Sequence, residues 1–219
     1  MLVSNLPLES LPQVKLSDKV YYVLQLMYDY NVHELAVTSG GEFAGIVKEE
    51  ALLNVEDNTL IEDIQHLFLK ISVSSGDHLL KAVSLAVASH LSILPVTDNE
   101  HKLTGIIETG HLLQDMADFL QVNEPGALIV LEVDTFHYSF SEICRIVESN
   151  DAQITQLNTS QSGETGKTQV TLKLNKLEIS DIVASFQRYD YYVKYYFGEE
   201  LYTNELKNNY ENLMSYLNV

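Results

Sequence analysis

Apolar residues in the first half of this chain recur at helical spacing, then fall into short runs, and the same succession appears twice. Val20, Val23, Leu24, Met27 and Tyr30 return every three or four positions, which predicts a helix with one apolar face. Leu35-Ala36-Val37 and Phe43-Ala44-Gly45-Ile46-Val47 follow as apolar runs on either side of Gly40-Gly41. That arrangement predicts two strands joined by a tight turn, because glycine takes positive φ at no steric cost. Further on, Leu79, Leu80, Val83, Val87 and Leu91 predict a second helix. Leu94-Pro95-Val96 and Leu103-Thr104-Gly105-Ile106-Ile107, with Asp98-Asn99-Glu100 between them, predict a second strand pair. Val14 to Leu53 and Val73 to Leu113 thus align at an offset of about sixty residues, with a one-residue adjustment in the loop. Asp18 and Val20 answer Asp77 and Leu79, so Ser17 or Asp18, and then Asp77, are expected to cap the helices. Each unit reads helix, strand, tight turn, strand, helix. One unit alone leaves a sheet face bare, so two units packed together make the minimal core.

The pattern changes after Gln121 at Asn123-Glu124-Pro125-Gly126, a turn-rich stretch expected to mark a domain boundary. Ala127 to Val133 reads as a strand, and Ser139 to Ser149 as a helix with Phe140, Ile143, Ile146 and Val147 on one face. Ala152 to Ser160 is a strand, Gln161 to Gly166 a polar hairpin loop, and Gln169 to Asn175 a half-buried strand that alternates Val170, Leu172 and Leu174 with Thr171 and Lys173. A helix from Glu178 with Ile179, Ile182, Val183 and Phe186 precedes a last strand, Tyr192 to Phe197. The order βαββαβ predicts two helices on one face of an antiparallel sheet. Tyr202, Leu206, Tyr210, Leu213 and Leu217 then mark an amphipathic tail helix. The expected architecture is α+β: a repeat pair over 1–121, a βαββαβ domain over 126–198 and a C-terminal helix over 199–219.

Charge narrows the partners. Thirty-one acidic against thirteen basic residues in 219 leave a formal charge of −18, which repels nucleic-acid backbones and anionic membrane surfaces alike. The longest apolar run, Ala127 to Leu131, is too short to span a bilayer. Met1 to Asn5 holds no basic stretch leading into an apolar one, so no signal peptide is read. The single cysteine, Cys144, excludes an intrachain disulfide and a cysteine zinc cluster. These features predict a soluble cytoplasmic protein.

No catalytic set emerges. His33, His66, His78, His90, His101, His111 and His137 are never three or four residues apart, so ligand spacing for a metal is missing. Cys144 has no base at nucleophile spacing. Gly163 to Thr168 resembles the end of a phosphate-binding loop, but position 161 is glutamine and a strand follows Lys167, which excludes that reading. Thirteen tyrosines and no tryptophan are the oddest feature of the composition, and Tyr189, Tyr191, Tyr192, Tyr195 and Tyr196 crowd the last strand. Rings on both faces of one strand suit either an interface, shared with the tail helix, or an ordinary core and rim.

The repeat, carried by Gly45-Ile46-Val47 and Gly105-Ile106-Ile107, each followed by a short helix (Ala51-Leu52-Leu53 and His111-Leu112-Leu113), resembles a tandem pair of cystathionine-β-synthase (CBS) domains. The βαββαβ stretch, with Phe140 through Ile154 fitting without a gap, resembles an ACT domain. Bacterial proteins of the acetoin-utilisation type pair these modules in this order. The resemblance implies a non-catalytic regulatory or sensor protein, commonly homodimeric, with an adenine nucleotide or related metabolite in the CBS cleft as effector and no cofactor required. A protein–protein adaptor with degenerate sites, docking a protein partner through the tyrosine-rich strand and tail helix, is the alternative. Where such repeats usually carry Thr or Ser and then Asp, this chain has Lys48 and Ala51, then Glu108 and His111. Where ACT domains often carry a glycine before the first helix, it has Tyr138. His33, Lys48, Ser74, Ser92, Glu108 and His111 are the expected ligand contacts, taken by their position in the repeat.

Overall fold

A computed structural model describes residues 1–134, 138–163 and 166–198, and the chain separates into two compact units, Met1–Phe119 and Leu120–Val219. In the first unit, β1 (Val14–Lys15) lies parallel to β2 (Glu34–Ser39), which pairs antiparallel with β3 (Glu42–Lys48). Helix α1 (Val20–Tyr30) leads into β2, and α2 (Glu49–Leu52) follows β3. The second repeat restates this with β4 (Val73–Ser74), α3 (Leu79–Ser89), β5 (Ile93–Thr97), β6 (Leu103–Glu108) and α4 (Thr109–Phe119). Both hairpins shift register at the same place, between Val37 and Thr38 and between Val96 and Thr97. Both first helices end on a left-handed residue, Asn31 at φ 53° and His90 at φ 49°. Gly40 and Gly41, at φ 59° and 92°, make the first hairpin turn, as the sequence predicts.

The expected helix caps are corrected. Lys19 and His78 stand at the cap positions, and His78 Nδ1 accepts the N–H of Leu80 at 3.2 Å. The two aspartates instead close the preceding turn, Asp18 accepting from Lys15 N at 2.7 Å and Asp77 from Ser74 N at 2.9 Å. The apolar faces are also narrower than the spacing suggests. Val20, Val23 and Met27 are buried on α1 while Tyr30 is exposed; Leu79, Ala82 and Ala86 are buried on α3 while Leu80 and Val87 face solvent. Val83 and Leu85 pack at the margin of that core, beside the buried Leu79, Ala82 and Ala86.

Residues 1–13 and 54–72, which the repeat alignment leaves unassigned, exchange between the repeats. Val3 N donates to Asp77 O and Ser4 N to Ser75 O, while Ile61 N donates to Asp18 O and Glu62 N to Leu16 O. Leu79 N donates to Met1 O, and Val20 N to Thr59 O. Further along, Glu9 bridges Ile106 and Leu69 bridges Ile46. Each repeat's leading segment therefore completes the other repeat. This explains the two strand glycines: a Cβ at Gly105 would lie 2.8 Å from Leu8 Cβ, and one at Gly45 would lie 2.8 Å from Phe68 Cβ. Ala36, Ile93 and Ile106, with Leu11, Phe43 and Leu103 against them, fill the seam between the repeats.

The second unit holds β7 (Leu128–Val133), α5 (Phe140–Glu148), β8 (Ile154–Gln161), β9 (Thr168–Leu174), α6 (Ser180–Arg188) and β10 (Tyr192–Phe197). Its antiparallel sheet has the order β10-β7-β9-β8, the split βαββαβ arrangement that the sequence predicts. Ile143, Ile146 and Val147 of α5 and Ile182, Val183 and Phe186 of α6 pack with Ile129, Leu131, Val170 and Leu172 of the sheet. Phe140, expected on that face, is exposed and lies edge-on to Tyr138. On β10 only Val193 and Tyr196 pack on the core; Tyr192, Tyr195 and Phe197 are exposed along an edge strand. The predicted tail helix, His137 and part of the hairpin loop after Gly163 lie outside the described residues.

Candidate functional site

The two repeats place their chemistry at one end of their sheets. Antiparallel pairing sets Glu34, the first residue of β2, opposite Lys48, the last of β3, and sets Ile93 opposite Glu108 in the second repeat. Glu34 is buried at 5% exposure although the equivalent position is isoleucine. A carboxylate can stand there only if its charge and lone pairs are met. Lys48 Nζ lies 3.3 Å from its Oε1, and its Oε2 accepts Ser92 N at 2.8 Å, Ser92 Oγ at 2.9 Å and Ile93 N at 3.3 Å. One side chain of the first repeat thereby holds the loop that opens β5 of the second.

Around this bridge the site is acidic. His33 Nδ1 sits 2.5 Å from Glu49 Oε2, and Glu49 N donates to the His33 carbonyl. His33, Glu34, Lys48, Glu49 and Glu50 line a pocket of ≈ 270 Å³, and His33 and Glu49 also line a neighbouring one of ≈ 450 Å³ beside the end of α1. The ammonium of Lys48 is engaged by Glu34 rather than free, so an incoming anion must compete with a buried carboxylate for it. The second repeat keeps the equivalent backbone bond and differs in its side chains. Thr109 N and Oγ1 donate to Ser92 O and Leu91 O at 2.8 and 2.7 Å. The Glu108 side chain has no hydrogen bond or ion pair among the described residues, and His111 Nδ1 lies 3.5 Å from Glu9 Oε1.

The six residues selected by sequence therefore separate into groups. His33, Lys48 and Ser92 meet around Glu34, whereas Glu108 and His111 occupy the corresponding end of the second repeat. Ser74 lies apart from both: it pairs with Thr97, at the far end of β5 from Ser92, and its hydroxyl accepts from Gly76 N at 3.4 Å. Glu34, Glu49 and Glu9 were not selected by sequence. Glu34 had a readable signal, a charge directly before Leu35-Ala36-Val37 where the second repeat has Ile93; Glu9 had none, because it reaches the site through the exchanged segment.

In the second unit Tyr138 is half-buried against the core, so its ring occupies the position ahead of α5 where the resemblance leads one to expect glycine. Tyr191 OH donates to Glu142 Oε2 at 2.9 Å, and burial with that carboxylate raises the phenol above its ordinary range. No helix among the described residues is long and apolar enough to cross a membrane.

The CBS domain profile matches residues 3–58 and 59–118. Among solved structures, a CBS domain pair/ACT domain protein from Thermotoga maritima is similar over 55% of this chain and 99% of its own, at 25% identity and a TM-score of 0.51. The CBS domains of a transcriptional regulator from Streptococcus pneumoniae share 14% identity over 52% of this chain and 98% of theirs, with a TM-score of 0.47. The CBS-pair protein CBSX2 from Arabidopsis thaliana shares 23% over 55% and 96%, with a TM-score of 0.47. No curated protein matches the chain. With both halves of the exchanged repeat covered by the family profile, the chain belongs to the CBS domain family, as a CBS pair followed by an ACT-like βαββαβ unit.

Proposed function

We propose that this protein is a non-catalytic, cytoplasmic regulatory module whose CBS pair takes an adenine nucleoside or its monophosphate at the end of the sheets that carries Glu34, Lys48 and Ser92. The observation behind this reading is the Glu34 bridge, because it ties the two repeats through groups that a ligand can claim. A phosphate drawing Lys48 away leaves the Glu34 charge held by Ser92 and Ile93 alone, and so changes the coupling between repeats. A ligand shifts such an equilibrium only by binding its two states unequally. Ribose hydroxyls can donate to Glu49 and Glu50, whereas three carboxylates around one lysine disfavour each added phosphate. His33, Lys48 and Ser92 are the proposed contacts, with Glu108 and His111 forming a second, acidic position.

Titration calorimetry with adenosine, AMP (the nucleotide held in a CBSX2 structure) and ATP tests it. Adenosine or AMP should bind at least about tenfold more tightly than ATP, a difference of about 1.4 kcal/mol. Absence of heat with all three at millimolar concentration would defeat the proposal.

The module is also proposed to be a homodimer through α1 and α3. Tyr21 and Tyr28 on α1, and Leu80 and Val87 at the equivalent positions of α3, are exposed and put an apolar stripe on each helix. The adaptor reading is favoured by a different observation, the exposed Tyr192, Tyr195 and Phe197 on the β10 edge.

A further inference from the structure

The sheet of the second unit has a buried lysine on the face turned away from its helices. Ile129, Leu157 and Leu172 pack toward α5 and α6, so strand alternation puts Leu128, Gln156, Asn158, Thr171 and Lys173 on the opposite face. Register sets Leu128, Lys173 and Gln156 in one cross-strand row and Thr171 beside Asn158 in the next. Leu120, Val122 and Glu124, which belong to the same unit, close a pocket of ≈ 270 Å³ over these rows. Lys173 is only 9% exposed. Among the described residues its ammonium donates to the carbonyl of Gln121 and has no carboxylate partner. An ammonium carries three donors, and a cation removed from water without an anionic partner is costly. The remaining wall has a definite chemistry: the Thr171 hydroxyl and side-chain amides flank the lysine, and Leu120, Val122 and Leu128 supply an apolar side.

We propose that this pocket binds a small aliphatic monocarboxylate, its carboxylate on Lys173 and its hydrocarbon chain against Leu120, Val122 and Leu128. The volume lies below the roughly 300–1,000 Å³ of drug-sized sites, so the occupant is small. Glu124 at the rim opposes a second negative charge, which selects monocarboxylates over dicarboxylates. The site is independent of the CBS reading, since every residue in it belongs to the second unit.

Butyrate is the probe, titrated into the full chain and followed by calorimetry, with butyramide, succinate and 2-aminobutyrate as comparisons. Butyrate should bind saturably, and butyramide and succinate at least about tenfold more weakly. Lys173→Met should weaken butyrate at least about tenfold while circular dichroism shows a folded chain. Asn158→Leu, at an exposed position, decides the matter if the lysine variant does not fold, and should weaken butyrate about threefold or more. The proposal is overturned if butyrate does not bind at millimolar concentration, if only 2-aminobutyrate binds, or if affinity is unchanged in the folded Lys173→Met or in the Asn158→Leu variant.

Discussion

Glu34 in the first repeat accepts both the backbone N–H and the hydroxyl of Ser92 in the second, at 2.8 and 2.9 Å, while its other oxygen faces Lys48. Bonds to a buried carboxylate stand among the stronger ones in a protein, so Ser92→Ala should cost about 1.5–3 kcal/mol. Glu34→Gln, which strands Lys48, should cost about 1–3 kcal/mol, and the double variant should cost less than the sum of the two. Urea denaturation of the three variants measures this coupling; strict additivity would show that the bridge does not join the repeats.

The exchanged segments predict a steric effect. Gly105→Ala sets a methyl 2.8 Å from Leu8 Cβ and should destabilise by about 1–3 kcal/mol, with faster hydrogen exchange at the Glu9 and Ile106 amides. Leu8→Gly removes the opposing atom and should recover part of the loss. Leu8→Ala, which keeps it, should recover less.

Two aspartates should give opposite pH dependences. The bonds from Lys81 and from Ser74 N hold Asp77 below its ordinary value of 3.8, so its contribution is complete at neutral pH and is lost as pH falls through the lowered pKa. Asp77→Ala should therefore melt below wild type at pH 7, and the gap should close below about pH 4. Asp115 is raised by burial and then by Asp118, and its Oδ2 has no hydrogen-bond partner among the described residues. Its charge opposes folding progressively as pH rises from the ordinary value of 3.8 through the raised pKa, and fully above it. Asp115→Asn should melt above wild type at pH 7, with the gain shrinking as the carboxyl protonates in acid. Thermal melts between pH 3 and 7, in steps of about half a unit, check both signs.

Light scattering on size-exclusion peaks separates the two candidate interfaces. Tyr28→Glu combined with Val87→Glu should yield a monomer, and Tyr195→Ser should leave the mass unchanged. Tyr196 is unsuited to this comparison, because its ring packs on the core and its loss would unsettle the fold. A monomer produced by Tyr195→Ser alone would move the interface to β10.

Much of the architecture was legible because it repeats. Residues at matching offsets, Val20 with Leu79 and Gly45 with Gly105, report a unit that cannot fill its own core, and alternation in Val170, Leu172 and Leu174 reports which side of a strand is inside. Those are short-range regularities, and the chain states them directly. Spacing was less able to tell a buried helix face from an exposed apolar one. Leu80 and Val87 satisfy helical periodicity as well as Ala82 and Ala86 do, and only packing against the sheet decides between them.

The site was the least legible part, for a geometric reason. Glu34 meets Ser92 across 58 positions of sequence, and Glu9 reaches His111 only because the first segment crosses to the second repeat. The sequence by itself determined the repeat, its strands and turns, the βαββαβ order and the strongly acidic charge, all of which follow from local spacing and composition. The tertiary structure alone decided which segments change places, that the Lys48 charge is already engaged, and that Lys173 is buried without a carboxylate among the described residues. Each of these depends on the distance between residues far apart in the chain, which no local pattern encodes.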